Sequence, residues 1–553
     1  MRPGLFFRLG PFASHPATSQ SHYAERTLRH RNVCGHSQEP RPWTMYDMNN
    51  MNNMNAIPVR CLVIALCMTL TNTAQAGQLR AGVAKVDITR IDAGPVNGRL
   101  HARALVVTDD VTTAVIVSVD AVAIGEIGYI GNEYLGSVRS QLKKELNIAP
   151  TSVMINASHC HGIVCKDVAA RTVQAVKEAA ASLVPVHVGV GSGYEDRIME
   201  NRRLMLKSGR EADVRHAYSL PADEEVAEVG PVDPEIGILR LNRVDGETLA
   251  VVYNFACHPI QGVPGGLNTA DITGFSSQVI EDNLSEGTVA LFVQGCGGDI
   301  NPVFYKDVDH PRNAEPLGNL LGLSTLKALR KIECREDSRL TVVNQVIELP
   351  RADLAERIGL METERERLLR SLKGTSLSLK TFLPLVVKYN LSDEFPSYYS
   401  HRYLHDDQLG RQTLRHLDEE NRRHIASYIR NIYTMEQLTR LQTNLRLLEK
   451  HQAHYVAGGK RMVDAELVGL RVGDFSLLTF PGELTVRIGL GLKARSAQKT
   501  TFIAGYTNGY LYYAPTADQL RNVGGAQEDS DCLLAPEWQA IFETKALQML
   551  SEL

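Results

Sequence analysis

Residues 249–302 constrain this chain more than any other stretch. They open with an apolar run, 249–256, and a second follows at 289–293; both have the length and β-branched content of buried strands. Each run delivers polar residues that a strand buried purely for packing does not need. The first ends in Cys257-His258-Pro259, the second in Gln294-Gly295-Cys296-Gly297-Gly298-Asp299-Ile300-Asn301-Pro302. Between them lie a Gly/Pro/Asn-rich loop carrying Asp271 and a helix predicted over 275–284. Reactive groups on loops at the carboxyl ends of buried strands are the usual layout of an α/β active site. The stretch reads as an enzyme core.

The same grammar runs through the flanking chain. Strands are predicted at 78–90, at 113–119 ending in Asp120, at 152–157 ending in Ser158-His159-Cys160-His161-Gly162, and at 186–190, with Asn201-Arg202-Arg203 beyond. Helices fit 132–146, 167–183 and 315–331. After a strand at 340–349, the α/β pattern resumes at 463–472 and 475–479. Phe480-Pro481-Gly482-Glu483 then opens a helix, a strand at 501–505 runs into the tyrosines of 506–513, and a helix closes the chain at 535–553. This alternation predicts an α/β fold with a mixed, largely parallel sheet core and flanking helices. Residues 352–457 differ, being charged and helical in period, and read as a helical insertion of two to four helices broken near Gly374 and Pro396. A solvated cap is the plain reading and a lid the sharper one; its charges suit exposed i,i+4 pairs worth tenths of a kcal/mol. The remainder, 77–351 and 458–553, forms one metal-hydrolase domain.

The first 76 residues stand apart. Arg60, the apolar run 61–70 and Ala74-Gln75-Ala76 have the layout of a signal peptide over 54–76, with 1–53 a mis-called start or disordered leader. Export to the periplasm or outside the cell follows as an expectation, and no later run approaches the ~20 apolar residues of a transmembrane span. Residues 1–76 hold seven Arg and three acids, so the rest carries 52 basic against 60 acidic residues. That balance, without a basic cluster, argues against a nucleic-acid partner and for a small-molecule or lipid-like substrate. The six remaining cysteines, Cys160, Cys165, Cys257, Cys296, Cys334 and Cys532, match no zinc-ribbon spacing. They either pair after export or pack as small buried thiols.

His159, His161, His258, Asp271, Asp299, Glu483 and the tyrosines near 510 all sit at ends of predicted elements. Three histidines and an acid from separate strand ends suit a catalytic zinc. His159 and His161 are two residues apart after a strand; on an extended chain they face opposite sides, so one metal does not take both. The glycine-rich turn at 295–301 offers backbone N–H groups to a ligand oxygen. It is no phosphate loop, because no Gly-Lys-Ser/Thr follows, and no nucleophile elbow, because no serine stands at its apex.

In order, AGVAKVDITR, ASHCHG, the NRR of Asn201–Arg203, NFACHP, ADITG, QGCGGDINP, FPGELT and TNGYLYY resemble the neutral/alkaline (non-lysosomal) ceramidase family over roughly residues 79–350 and 463–530, its catalytic domain only. Members of that family are zinc amidases that cleave the N-acyl bond of ceramide. The resemblance implies that His159, His258, Glu483 and Tyr513 bind Zn2+ and that His161 and Arg202 line the substrate site. The chain departs from the family where its catalytic serine falls on Asn301, where a later tyrosine falls in Gly524-Gly525-Ala526-Gln527, and in lacking the C-terminal β-sandwich.

The combined expectation is an exported zinc-dependent hydrolase that cleaves an amide bond through metal-activated water. His161 or Asp299 serves as acid or base, Arg202 holds a substrate oxygen, and the 295–298 amides or Asn301 stabilise an oxyanion. The alternatives are the same scaffold acting on an ester or glycan, and a catalytically lapsed binding protein.

Overall fold

A computed structural model describes residues 78–553, apart from 215–220, 306, 308, 397–398 and 523–525. The expected leader and signal peptide lie outside the described residues.

Eight strands form one mixed sheet in the order Val289–Gln294, Thr248–Phe255, Glu235–Arg243, Val184–Tyr194, Arg80–Asp87, His101–Thr108, Thr113–Val119, Val153–Ala157. The mixed α/β class is as expected, but the sheet is not largely parallel. Parallel pairing is confined to the pair at each end of the order, and every pair between is antiparallel. The reason lies in burial. Ala102, Ala104 and Val106 face one core while Leu105 and Val107 face another, so both faces of the sheet are covered. Doubly covered strands read as unbroken apolar runs, a pattern shared with parallel sheets.

A second sheet covers one of those faces. Its order is Leu340–Pro350, Met462–Val472, Phe475–Thr479, Thr501–Ala504, and its Leu470, Phe475, Leu477 and Phe502 share a core with Val186, Leu239 and Leu291. Helices Tyr134–Leu146 and Val168–Ala181 pack on the opposite face. Asp271–Asp282 and Glu315–Leu329 cover the end near Thr248–Phe255.

The large sheet curls until its two ends meet, and polar side chains clasp them. Ser118 Oγ donates to the Phe292 carbonyl at 2.6 Å, and Asn156 Oδ1 accepts the Gln294 N–H at 2.8 Å. Asn156 Nδ2 also donates to the Gly505 carbonyl (2.8 Å) and Asn254 Nδ2 to the Ile503 carbonyl (3.3 Å), so the end of Thr501–Ala504 is fastened to the same junction. Strand ends that are far apart in sheet order thus open at one point.

Between Leu340–Pro350 and Met462–Val472, which pair antiparallel, lie four helices: Ala355–Ser371, Leu379–Leu391, His401–Gln408 and Thr413–Gly458. The 46-residue last helix presents Leu438, Leu441, Leu445 and Leu448 at alternating three- and four-residue spacing. That stripe packs on Met361 and Leu368 of the first helix. Among the described residues, no helix is long and apolar enough to cross a membrane. All six described cysteines are free thiols.

Candidate metal centre and active-site cavity

His159 follows the Val153–Ala157 strand, and its backbone turns into the left-handed region at φ 66°. The ring is buried, 2% exposed, and its Nδ1 lies 2.6 Å from the Val122 carbonyl. His258 follows Thr248–Phe255, and its Nδ1 lies 3.0 Å from the Ile300 carbonyl. A protonated Nδ1 makes those contacts favourable, and in a neutral ring that tautomer leaves the Nε2 lone pair facing inward. Glu483 begins a two-residue strand paired with Tyr513–Ala514, and its carboxylate stands between the imidazoles. His159 Nε2 is 3.6 Å from Glu483 Oε1, and His258 Nε2 is 3.1 Å from Oε2. The Tyr506 hydroxyl donates to Oε2 at 3.1 Å, and the Tyr510 hydroxyl donates to Oε1.

One ligand atom from each of His159, His258 and Glu483 lies within 4.8 Å of the others, with all three side chains buried. Burial lowers the His159 pKa to about 4, against the pull of Glu483. Burial raises the Glu483 carboxyl, yet His159, His258 and Tyr510 outweigh it and hold the group below the usual carboxylate range. Two imidazole Nε2 atoms and a carboxylate thus converge within one buried cluster. That donor set fits a divalent metal ion.

The other expected site residues divide. His161 stands at the same cavity as His159, with ring centroids 5.3 Å apart. The premise of opposite faces does not hold, because the strand has ended and the turn at His159 brings both rings to one side. His159 alone belongs to the ligand trio. Tyr513 lines the cavity and its hydroxyl accepts from Arg202 Nη2 at 3.2 Å.

Arg202 also lines the cavity, but its donors are nearly spent. Nε binds Glu528 at 2.5 Å, Nη1 binds Asn301 Oδ1 at 3.0 Å, and Nη2 binds the Gly298 carbonyl at 2.5 Å. It organises the floor more than it offers itself to substrate.

Asp299 does not line this cavity. Its carboxylate accepts the Val486 N–H at 2.8 Å and Asn201 Nδ2 at 3.2 Å, and it borders a separate void of about 20 Å³. This corrects its expected role as acid or base: it ties the Glu483 segment to the Asn201 strand. Asn301 likewise stands behind Arg202, fully buried and off the cavity lining. The glycine turn is also corrected. The N–H groups of Gly295, Gly297 and Gly298 bind the carbonyls of Phe255, Gly295 and Leu484, so they are not free for an oxyanion. A Cβ on Gly298 would stand 2.6 Å from the Glu483 carbonyl. The glycines let two backbones touch.

The cavity has a volume of about 170 Å³, with Ile127, Ile260 and Val263 as its apolar side. Several of its groups escaped the sequence reading: Tyr506 on Glu483, Glu528 on Arg202, and Lys450 and Asp531 on the wall. The signal for the acids was the run Glu528-Asp529-Ser530-Asp531 directly before the apolar Cys532-Leu533-Leu534-Ala535. Buried acids need cations, and Arg202-Arg203 supplies them: Arg203 binds Asp529 at 2.9 Å and Glu211 at 2.7 Å.

No family model and no curated protein matches this sequence. Among solved structures the chain is similar to neutral ceramidase from Pseudomonas aeruginosa, with a TM-score of 0.53 and 16% identity over 86% of this chain and 74% of that one. It is also similar to a ceramidase complexed with C2, with a TM-score of 0.54 and 17% identity over 86% of this chain and 75% of that one. The chain therefore has a ceramidase-like fold.

Proposed function

We propose that this protein is a zinc-dependent hydrolase that cleaves an amide (N-acyl) bond and acts after export. The observation that carries the reading is the buried His159–His258–Glu483 trio, with each imidazole oriented by a main-chain carbonyl and the carboxylate by two tyrosines. The ceramidase-like fold supports the reaction class and a lipid-like substrate.

His159, His258 and Glu483 would hold the ion. When bound, zinc supplies Lewis acidity toward an acyl oxygen and toward water. Tyr506 and Tyr510 keep Glu483 in register between the imidazoles. His161, exposed at the cavity, can give or take a proton at its imidazole. Arg202, locked by Glu528, fixes the Tyr513 hydroxyl on the cavity wall. Asn301 is neither nucleophile nor base, so no acyl-enzyme forms through it.

Elemental analysis of the purified protein, with a hydrolysis screen over N-acyl lipids, N-acyl amino acids and acylated sugars, tests this reading. About one zinc per chain is expected, lost together with amide hydrolysis in His159→Ala and in His258→Ala. His161→Ala should keep the metal and lose rate. Full zinc occupancy in either ligand variant would refute the ligand assignment, and cleavage of esters or glycans alone would refute the amidase.

A further inference from the structure

We infer that the helical insertion completes the active-site cavity, and that its Lys450 selects a substrate carrying an anionic group, such as a carboxylate, close to the bond that is cleaved. The inference rests on the hydrolase reading above for the reaction, and on separate residues for the recognition.

Lys450 lies near the end of the long helix Thr413–Gly458. The buried stripe Leu441, Leu445, Leu448 fixes that helix's rotation, and two neighbouring side chains then reach the catalytic half of the molecule. His451, 2% exposed, places Nε2 2.9 Å from Asp531 Oδ1, and its ring meets Tyr512 edge-on at 4.7 Å. Lys450 Nζ sits over the Tyr512 ring, 4.3 Å from its centroid. Lys450, Tyr512 and Asp531 all line the cavity that holds His159, His258 and Glu483. The insertion is therefore a wall of the site.

The charges around that cavity are answered, with one exception. Arg202 has Glu528 at 2.5 Å, and Asp531 has His451. Glu483 has two tyrosine hydroxyls. Lys450 has no carboxylate within 4.0 Å among the described residues and rests on an aromatic face. A ring quadrupole holds an ammonium in place without neutralising it. The full charge stays available to a ligand. Glu126 accepts from the Tyr512 hydroxyl at 3.4 Å and Asp531 borders the cavity, so Lys450 draws an anion to itself while these two acids repel it.

Size agrees. A cavity of about 170 Å³ is below the roughly 300–1,000 Å³ of pockets that enclose drug-sized ligands. It has room for an amide and one short charged arm, while any long hydrocarbon chain must lie outside it.

The test uses the zinc-loaded full chain and two matched pairs of small amides. N-acetylglycine against N-acetylethanolamine places the anion on the amine half, and N-methylsuccinamic acid against N-methylbutanamide places it on the acyl half. The readout is the acid-to-neutral ratio of kcat/KM. Wild type should favour the acid of one pair by about tenfold or more, the range for a hydrogen bond to a charged group, and the favoured pair identifies the half. Lys450→Met should bring that ratio near one, Lys450→Glu should invert it, and Lys450→Arg should largely keep it. Thermal melts identify any variant that fails to fold.

A ratio near one in wild type, or a ratio unchanged in a folded Lys450→Met, would overturn the inference and leave the hydrolase reading standing. Should neither pair be cleaved, calorimetric titration of the two acids decides. Binding that is lost in Lys450→Met upholds the anion site, and its absence overturns it; the hydrolase reading then stands or falls on the wider screen.

Discussion

The floor and the insertion wall of the cavity are built to different standards. On the floor, His159 and His258 are buried with Nδ1 on a main-chain carbonyl, Glu483 is buried under two tyrosine hydroxyls, and Arg202 behind them is 1% exposed with partners on all three nitrogens. On the wall, Lys450 is exposed and rests on one ring. The helices behind it share one modest leucine cluster. Groups that would hold a metal ion need placement to a fraction of an ångström, which burial and hydrogen bonds of this kind provide. A charge that only recognises another charge tolerates looser placement. Under the proposed function, reactivity belongs to the floor and substrate choice to the wall.

The largest expected break in that comparison is Glu528→Ala. Arg202 and Arg203 are fully buried against Glu528, Asp529 and Glu211. Burial works against both guanidiniums, yet the acids, Glu528 first for Arg202, hold its pKa well above the ordinary value. Removing Glu528 strands charge in the interior at a cost of about 3–5 kcal/mol. Chemical denaturation should show that loss, together with a fall in rate as Arg202 releases Tyr513 and Asn301. Removing Glu366, whose exposed pair with Arg370 lies on the insertion, should leave stability unchanged. Equal effects from the two would erase the distinction between floor and wall.

Leu448→Ala probes the wall from behind. The side chain is wholly buried in the leucine stripe, and Leu→Ala truncations of that kind cost about 2–5 kcal/mol. Hydrogen exchange should speed up across 355–371 and 413–458 and stay slow in the strands that carry His159 and His258, with zinc content unchanged. If protection falls everywhere together, the insertion is not a separable wall but part of one cooperative unit.

Much of the floor was legible because its residues stand next to strong local signals. His159, His258 and Glu483 each follow an apolar run that ends abruptly, and a buried strand is hard to misread. The pairing of those strands was not legible. Thr248–Phe255 and Thr113–Val119 are buried nearly throughout, and each pairs parallel with one neighbour and antiparallel with the other, so direction leaves no trace in composition. Roles misassigned on the floor share one cause. Asp299, Asn301 and the glycine turn lie beside His258 and Glu483 in space, but face away from the cavity, and sequence order does not encode facing within an irregular turn. Lys450 was hidden differently: in a helix full of charges, nothing local marks the one that meets a distant tyrosine.

The smallest effect belongs to Asp271, which closes the loop after His258. Its backbone lies at φ 54°, and its carboxylate accepts the N–H groups of Gly262 at 2.7 Å, Ile272 at 2.8 Å and Gln261 at 3.2 Å. Burial nevertheless dominates those bonds and pushes its pKa up to about 6 from 3.8. Between those values the folded chain keeps a proton that the unfolded chain has released. The contribution to stability is therefore fully present below pH 4 and lost as the pH rises through 6. The slope reaches at most about 1.4 kcal/mol per pH unit, one proton's worth. Denaturation midpoints measured from pH 4 to 8 should show that decline in wild type. Asp271→Asn cannot titrate, so its curve should lack this component whatever its absolute stability. An unaltered slope in that variant would assign the proton to another buried acid, with Asp529, also raised to about 6 by burial, next in line. The loop carrying Ile260 and Val263 to the cavity would then be a pH-independent part of the floor.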